Sequence, residues 1–315
     1  MLDPQPTFKE NARHYPEDYH AYQSYAPHGR KERFALYLYR LYFTQSFAQS
    51  MQRQERRGGL ASGARTLFLR VALLPFKHLL RGTSIRKGAR ILDVGCGNGA
   101  FLYKMKQAGM ETHGVELSHK GCRAARTLGL DVREGILEQQ RYPPDHFDVI
   151  TLNHVFEHVP DPKETLRELK RILKPGGVLI MAFPNASSLA CRMFRTYWAS
   201  LDMPRHLAIF SPKTIAILAR AQGFSIERTR YLSFPFAFQG SFAYLLSPAS
   251  RTMKTPPGPA PLDRTFIGKT RLFYWLFFPL VYLVDLLHIG DVIEVHLRKD
   301  ETSAKARAPE KRRER

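Results

Sequence analysis

Asp93, Gly95, Gly97, Gly99 and Glu116 have the types and spacing to hold a nucleotide. The three glycines alternate with Cys96 and Asn98 in "ILDVGCGNGAFL" (91–102), directly after an apolar run. Glycine lets a chain turn tightly and approach a ligand with its backbone. The N-terminus of a following helix adds free N–H groups and a partial positive charge. The segment satisfies the G-x-G-x-x-G/A dinucleotide fingerprint, so a nicotinamide-dependent oxidoreductase is one reading. Asp93 stands two residues before the first glycine, where a carboxylate suits a ligand ammonium and is unhelpful beside a pyrophosphate. Glu116 lies 21 residues after Gly95, at the end of the next strand-like run. There a carboxylate can accept both ribose hydroxyls in either cofactor class.

These residues need a rigid frame, and the sequence supplies one. From Gly88 to Leu232, strand-like and helix-like segments alternate at the βαβ rhythm. "ARILDV", "ETHGVEL", "DVREG", "FDVITLN" and "GVLIMAF" read as strands, with helices over about 98–107, 118–127 and 162–173 between them. Asp161-Pro162-Lys163-Glu164 places an N-cap acid, a first-turn proline and an N3 glutamate in order. Ser211-Pro212 marks another helix start, with Ile215, Leu218 and Ala219 on one face and Gly223 as its stop. "FSIERTRYL" and "DVIEVHLRK" (291–299) read as two further strands. The spacing predicts five regions. They are a basic helical extension over 1–87, a core over 88–232, an apolar insertion over 233–290, a last core strand over 291–301, and a disordered basic tail over 302–315.

Composition narrows the class. The chain of 315 residues carries a formal net charge of +20, and residues 1–90 hold 16 Lys/Arg against 6 Asp/Glu. Half of the excess therefore sits outside the glycine-rich region. Such a charge fits a phosphate-rich partner: nucleic acid, an anionic membrane surface or a phosphorylated substrate. Cys96, Cys122 and Cys191 show no metal spacing and exclude a disulfide scaffold. The N-terminus "MLDPQPTFKENARHY" has no apolar stretch of a secretory signal, so a cytoplasmic location is expected.

In order along the chain, "LDVGCGNG", "GVELS", "FDVITLNHVFEHV" and "LKPGGVLIMAFPN" resemble the successive signatures of class I S-adenosylmethionine-dependent methyltransferases. "YWASLDMPRHLAIFSPKTIAILARAQGF" is similar to the bacterial small-molecule branch, which includes ubiquinone-pathway and glycan-cluster enzymes. The resemblance covers 88–232. It implies an α/β fold, a doubly wound, Rossmann-like seven-stranded sheet, with S-adenosylmethionine as cofactor. By position, Asp93, Gly95 and Gly97 would hold the methionine end, Glu116 the ribose, and Asn153 the methionyl side, with Asn98 and Leu117 also among the cofactor-binding residues. Many members have an acid after the third strand for the adenine amino group. This chain reads Gly135-Ile136-Leu137, so adenine would rest on backbone groups and on Ile136 and Leu137.

Methyl transfer is an in-line displacement that needs the nucleophile aligned and, for a hydroxyl, deprotonated. His206 in "DMPRHLAIFSP" is the first candidate for the base, and a structural histidine tying down this loop is the alternative. His154, Glu157 and His158 suggest packing and hydrogen bonding, and no metal is expected. Arg205 would pair with a substrate anion or with Asp202. The insertion holds "SFPFAFQGSFAYLLSP" and "RLFYWLFFPLVYLVDLLHIG", whose 13 uncharged residues from Leu272 to Val284 fall short of a bilayer span. With Arg70, Lys77 and Arg81 on a segment kinked at Pro75, it points to an amphiphilic acceptor, small or lipid-linked, such as a quinol precursor or glycolipid. It also points to peripheral docking on the anionic inner membrane face, with a buried cap over the site as the alternative. Nucleic acid is not expected as substrate, because "NHVFEH" stands where an N-P-P-Y-type motif would. RNA or protein methylation, and S-adenosylmethionine binding without turnover, are the competing functions.

Overall fold

Ile91, Leu92, Asp93 and Val94 are buried in the strand Arg90–Val94 (β1). Such continuous burial belongs to a parallel strand covered on both faces. The computed structural model describes residues 20–23, 25, 85, 87–233, 235–246 and 271–299, except for the side chains of 20, 236 and 271–278. The helical extension expected before residue 88, including Arg70, Pro75, Lys77 and Arg81, otherwise lies outside the described residues. So does the tail from 302.

The remaining strands are β2 (Glu111–Glu116), β3 (Asp131–Glu134), β4 (Phe147–Asn153), β5 (Leu173–Pro184), β6 (Phe224–Tyr231) and β7 (Val292–Lys299). They form one seven-stranded sheet in the order β3-β2-β1-β4-β5-β7-β6. β1 pairs parallel with β2, and β2 with β3. β7 is antiparallel to both neighbours, with Pro184 opposite Val292 and a register shift against β6 between Ile226 and Arg228. This is the doubly wound α/β sheet expected from the alternation of elements.

The helices are α1 (Ala100–Gln107), α2 (His119–Thr127), α3 (Pro162–Ile172), α4 (Leu189–Phe194), α5 (Pro212–Ala221), α6 (Pro235–Leu246) and α7 (Arg271–Leu286). Their starts are side-chain capped where the sequence predicts it. Asp161 accepts from the N–H groups of Lys163 and Glu164, and Ser211 forms a reciprocal box with Thr214. α3 buries Thr165, Leu166, Leu169 and Ile172, one stripe at helical spacing.

The chain divides into two compact units. One runs Asp18–Gln140 with Phe147–Val149, and the other takes Arg141–His146 and the chain from Ile150 onward. In the first, Leu102, Cys122, Ala125, Leu130 and Val132 form a core beneath α1 and α2. In the second, Ala190, Phe194 and Trp198 pack with Phe238 of α6 and Val281 of α7. The two helices of the insertion are thus anchored in that unit's core. Asp285 fixes them further, accepting from the N–H and hydroxyl of Ser233 at 3.0 and 2.6 Å. Among the described residues, no helix is long and apolar enough to cross a membrane.

Candidate cofactor cradle and histidine–glutamate cluster

The turn after β1 requires its glycines. Gly95, Gly97 and Gly99 have φ of +69°, +54° and +77°, a region that L side chains rarely adopt. Gly99 is also a packing position: a Cβ there would lie 2.5 Å from Leu130 and 2.9 Å from Ala125 on α2. Gly95 and Cys96 donate to the Val115 carbonyl, which ties the turn to the end of β2.

Glu116 closes this cradle. It is buried, and each carboxylate oxygen takes one backbone N–H at 2.8 Å, from Gly97 and from Ser118. Burial pushes its pKa up, against backbone hydrogen bonding from Ser118, Gly97 and Leu117. A carboxylate at the end of β2 is an acceptor of the type a vicinal diol needs, and the residue type fits a ribose. Asp93 is buried in the same unit, and Leu117 is exposed. Ile136 is half-buried and Leu137 fully buried in the turn after β3. Asn153 is the last residue of β4 and belongs to the other unit.

One part of this cradle is invisible in the residue types. The short 3-10 turn His20–Tyr22 seats on the glycine loop. The Ala21 carbonyl accepts from the Asn98 N–H at 2.8 Å, and the Gln23 carbonyl from its side-chain amide at 2.7 Å. Both contacts use backbone acceptors, so no side-chain pattern announces them.

In the second unit, β4 runs into His154, whose φ is +53°. A histidine in this conformation stores strain of about 1–3 kcal/mol, a cost met most often at functional sites. The next turn, Phe156–His158, carries Glu157, which is 1% exposed. Both of its side-chain oxygens are shielded from solvent, with histidines as their nearest charged partners. Oε1 lies 3.3 Å from His154 Nδ1 and 3.9 Å from His206 Nε2. Burial pushes the Glu157 pKa up, but the adjacent histidines His154, His158 and His206 outweigh it and hold the carboxyl below its usual range.

His206 is 7% exposed and fixed by its Nδ1, 2.9 Å from the Ser200 carbonyl. A carbonyl only accepts, so Nδ1 carries a proton, and Nε2 faces Glu157 and, at 3.8 Å, Asp202. Burial lowers its pKa to about 4, against the attraction of Glu157 and Asp202. His158 stands beside it, ring centroids 4.7 Å apart, its Nδ1 2.8 Å from the Arg205 carbonyl. Arg205 pairs with Asp202, the internal partner named as one of its two alternatives.

The loop beneath is held from β7. Buried Asp291 accepts from the Trp198 indole at 2.6 Å, Ser200 at 2.8 Å and Ser188 at 3.5 Å. Glu157, His158 and His206 together bring three ligand-type atoms within 4.8 Å of one another. The sequence reading expects no metal here, yet such a carboxylate–imidazole set suits a divalent cation as well as proton transfer.

The family described as a methyltransferase domain matches residues 65–229, over half of the chain. The ubiquinone biosynthesis O-methyltransferase of Bordetella avium is 36% identical over 108 residues, covering 31% of this chain and 44% of that protein. Its counterpart from Ralstonia nicotianae is 27% identical over 168 residues, covering 49% and 71%. The match thus spans less than half the length of the first of these relatives. A solved S-adenosylmethionine-dependent methyltransferase from Mesorhizobium loti is 20% identical, with a TM-score of 0.44, covering 68% of this chain and 92% of that one. One from Archaeoglobus fulgidus is 18% identical, with a TM-score of 0.45, covering 74% and 93%. The chain belongs to the methyltransferase-domain family.

Proposed function

We propose that this enzyme methylates a hydroxyl oxygen of a small or lipid-linked amphiphilic acceptor at the cytoplasmic face of a membrane. The name of the relatives, ubiquinone biosynthesis O-methyltransferase, supports the oxygen target and the acceptor class. S-adenosylmethionine, when bound, supplies a methyl group on an electrophilic sulfonium sulfur. Asp93, Gly95 and Gly97 would hold its amino-acid end, with Asn98 and Leu117 lining the site and Asn153 on the methionyl side. Glu116 would take the ribose and Ile136 the base.

The observation that carries the reading is the pair His154–Glu157. A hydroxyl must lose its proton as the new C–O bond forms, and a base within hydrogen-bond reach accelerates this by about 10²–10⁴-fold. His206, the residue first assigned this role, is enclosed, and burial lowers its pKa, which makes it a weaker base than a free imidazole. The His154 side chain is 49% exposed, with Nδ1 on the Glu157 side, which leaves Nε2 to take the proton. Buried Glu157 then stabilises the imidazolium that results. Incubation with labelled S-adenosylmethionine and either hydroxylated quinol-type lipids or total RNA tests the reading. Label should enter the lipid fraction as an alkali-stable methyl ether, and label in RNA would overturn it.

A further inference from the structure

We infer that the segment His20–Gln23 forms the outer wall of the cofactor site and lifts for cofactor exchange. This rests on the reading of Glu116 as the ribose acceptor. The segment reaches the glycine loop from 75 residues away in sequence and makes two hydrogen bonds to one residue, Asn98. Gly97 serves this contact as well as any ligand, because a Cβ there would lie 2.9 Å from the Ala21 carbonyl. The ring of Tyr22 is placed beside the ribose carboxylate. A Cβ on Gly121 would lie 3.0 Å from Glu116 Cγ and 3.3 Å from the Tyr22 ring, so both residues border the same space. Tyr25 anchors the segment from outside. Its ring meets Tyr103 of α1 edge-on at 6.0 Å, and the Lys104 ammonium lies 5.6 Å from its centroid.

The strength of this closure matters as much as its place. Each backbone hydrogen bond on a half-exposed surface contributes a factor of roughly two to twelve in an equilibrium constant. Two such bonds and an aromatic edge hold a strap closed while leaving it free to open many times per second. A nucleoside seated on Glu116 would gain Tyr22 as a wall, and its departure would require the Asn98 bonds to break. The segment therefore governs residence time as well as affinity.

Hydrogen exchange of the full chain with and without S-adenosylhomocysteine is the direct test. Saturation should slow exchange of the Asn98 amide, the donor to the Ala21 carbonyl, by about fivefold or more, and Tyr22→Ala should reduce that protection. Tyr22→Ala should weaken S-adenosylhomocysteine by about fivefold and speed its release, with the unliganded melting temperature unchanged. Tyr25→Ala, outside the pocket, should speed release with a smaller effect on affinity. Exchange at Asn98 indifferent to ligand, or wild-type affinity and release in both variants, would overturn the strap. Glu116→Ala separates the two claims. If that variant binds normally while Tyr22→Ala does not, the ribose assignment is wrong and the wall stands on other contacts.

Discussion

His154 Nδ1 lies 3.3 Å from the buried Oε1 of Glu157. An exposed imidazole backed by an enclosed carboxylate is the arrangement that holds a general base in one orientation. His154→Ala should lower turnover by about 10²–10⁴-fold while S-adenosylhomocysteine binding persists. Glu157→Gln keeps the shape, removes the charge, and should lower turnover less. A chelation control decides how the cluster works. Activity that survives dialysis against EDTA assigns it to proton transfer. Loss restored by a divalent cation assigns it to metal ligation instead.

His206 makes folding sensitive to pH. Burial, opposed by Glu157 and Asp202, lowers its pKa from 6.5 to about 4. The unfolded chain binds a proton near pH 6.5 that the folded chain refuses until about pH 4. This contribution is therefore full above pH 6.5 and is lost as pH falls toward 4. The whole shift corresponds to about 3 kcal/mol. Urea midpoints near pH 7.5 and near pH 5 should diverge in the wild type. His206→Gln keeps a donor for the Ser200 carbonyl and should flatten that difference. Equal pH dependence in the two proteins would contradict the enclosed, neutral histidine.

Removing the carboxylate proposed to accept the ribose tests the cradle. Glu116→Ala should weaken S-adenosylhomocysteine by about 1.5–3 kcal/mol, the scale of hydrogen bonds to a charged group. Titration calorimetry on the folded variant reads this directly. Tighter binding of NADH than of S-adenosylmethionine by the wild type would revive the dinucleotide reading of the glycine loop.

Asp291 joins the loop below the cluster to β7, so its loss should be structural first. Asp291→Ala leaves the Trp198 indole N–H and the Ser200 hydroxyl without their shared acceptor in a buried site. The expected cost is about 3 kcal/mol, since each stranded donor costs about 1–3 kcal/mol. Asp291→Asn should recover part of it. Turnover that falls in Asp291→Asn without loss of stability would show that Ser200 also positions His206.

The legible parts of this molecule are those whose cause is local. Asp161-Pro162 and Ser211-Pro212 announce their helices because a cap acts within one turn. The buried run of β1 and the glycines after it announce the cradle for the same reason. The histidine–glutamate cluster is harder to read. "FEHV" looks like a half-exposed turn, and the burial of Glu157 comes from residues 205–208 folding over it. That loop is in turn held by Asp291, 91 residues from Ser200. Such long-range closure leaves no periodic trace. The Ala21–Asn98 contact leaves even less, since a backbone carbonyl is the same in every residue.

The insertion supplies the last prediction. α6 and α7 anchor Phe238 and Val281 in the core of their unit, yet five leucines on or just beyond these helices remain open to solvent. Leu245 and Leu246 are 45% and 78% exposed, and Leu283, Leu286 and Leu287 are 50%, 58% and 59% exposed. The aromatic side chains of Tyr274, Trp275, Phe277 and Phe278 lie outside the described residues, so the case rests on the leucines and on charge. Burying an exposed leucine contributes about 1.5–3 kcal/mol. Each Lys or Arg near an anionic surface adds about 1 kcal/mol, and the chain has a net charge of +20. Shallow insertion plus a few such contacts gives attachment that salt weakens. Wild-type protein should co-sediment with anionic phosphatidylglycerol vesicles, less so as salt rises, and only weakly with neutral phosphatidylcholine vesicles. Replacing Leu245 and Leu246 with Ser, or Leu286 and Leu287 with Ser, should reduce partitioning by about tenfold while leaving S-adenosylhomocysteine binding intact. Wild-type protein that stays in the supernatant with both lipids at low salt would show that the insertion only covers its own unit.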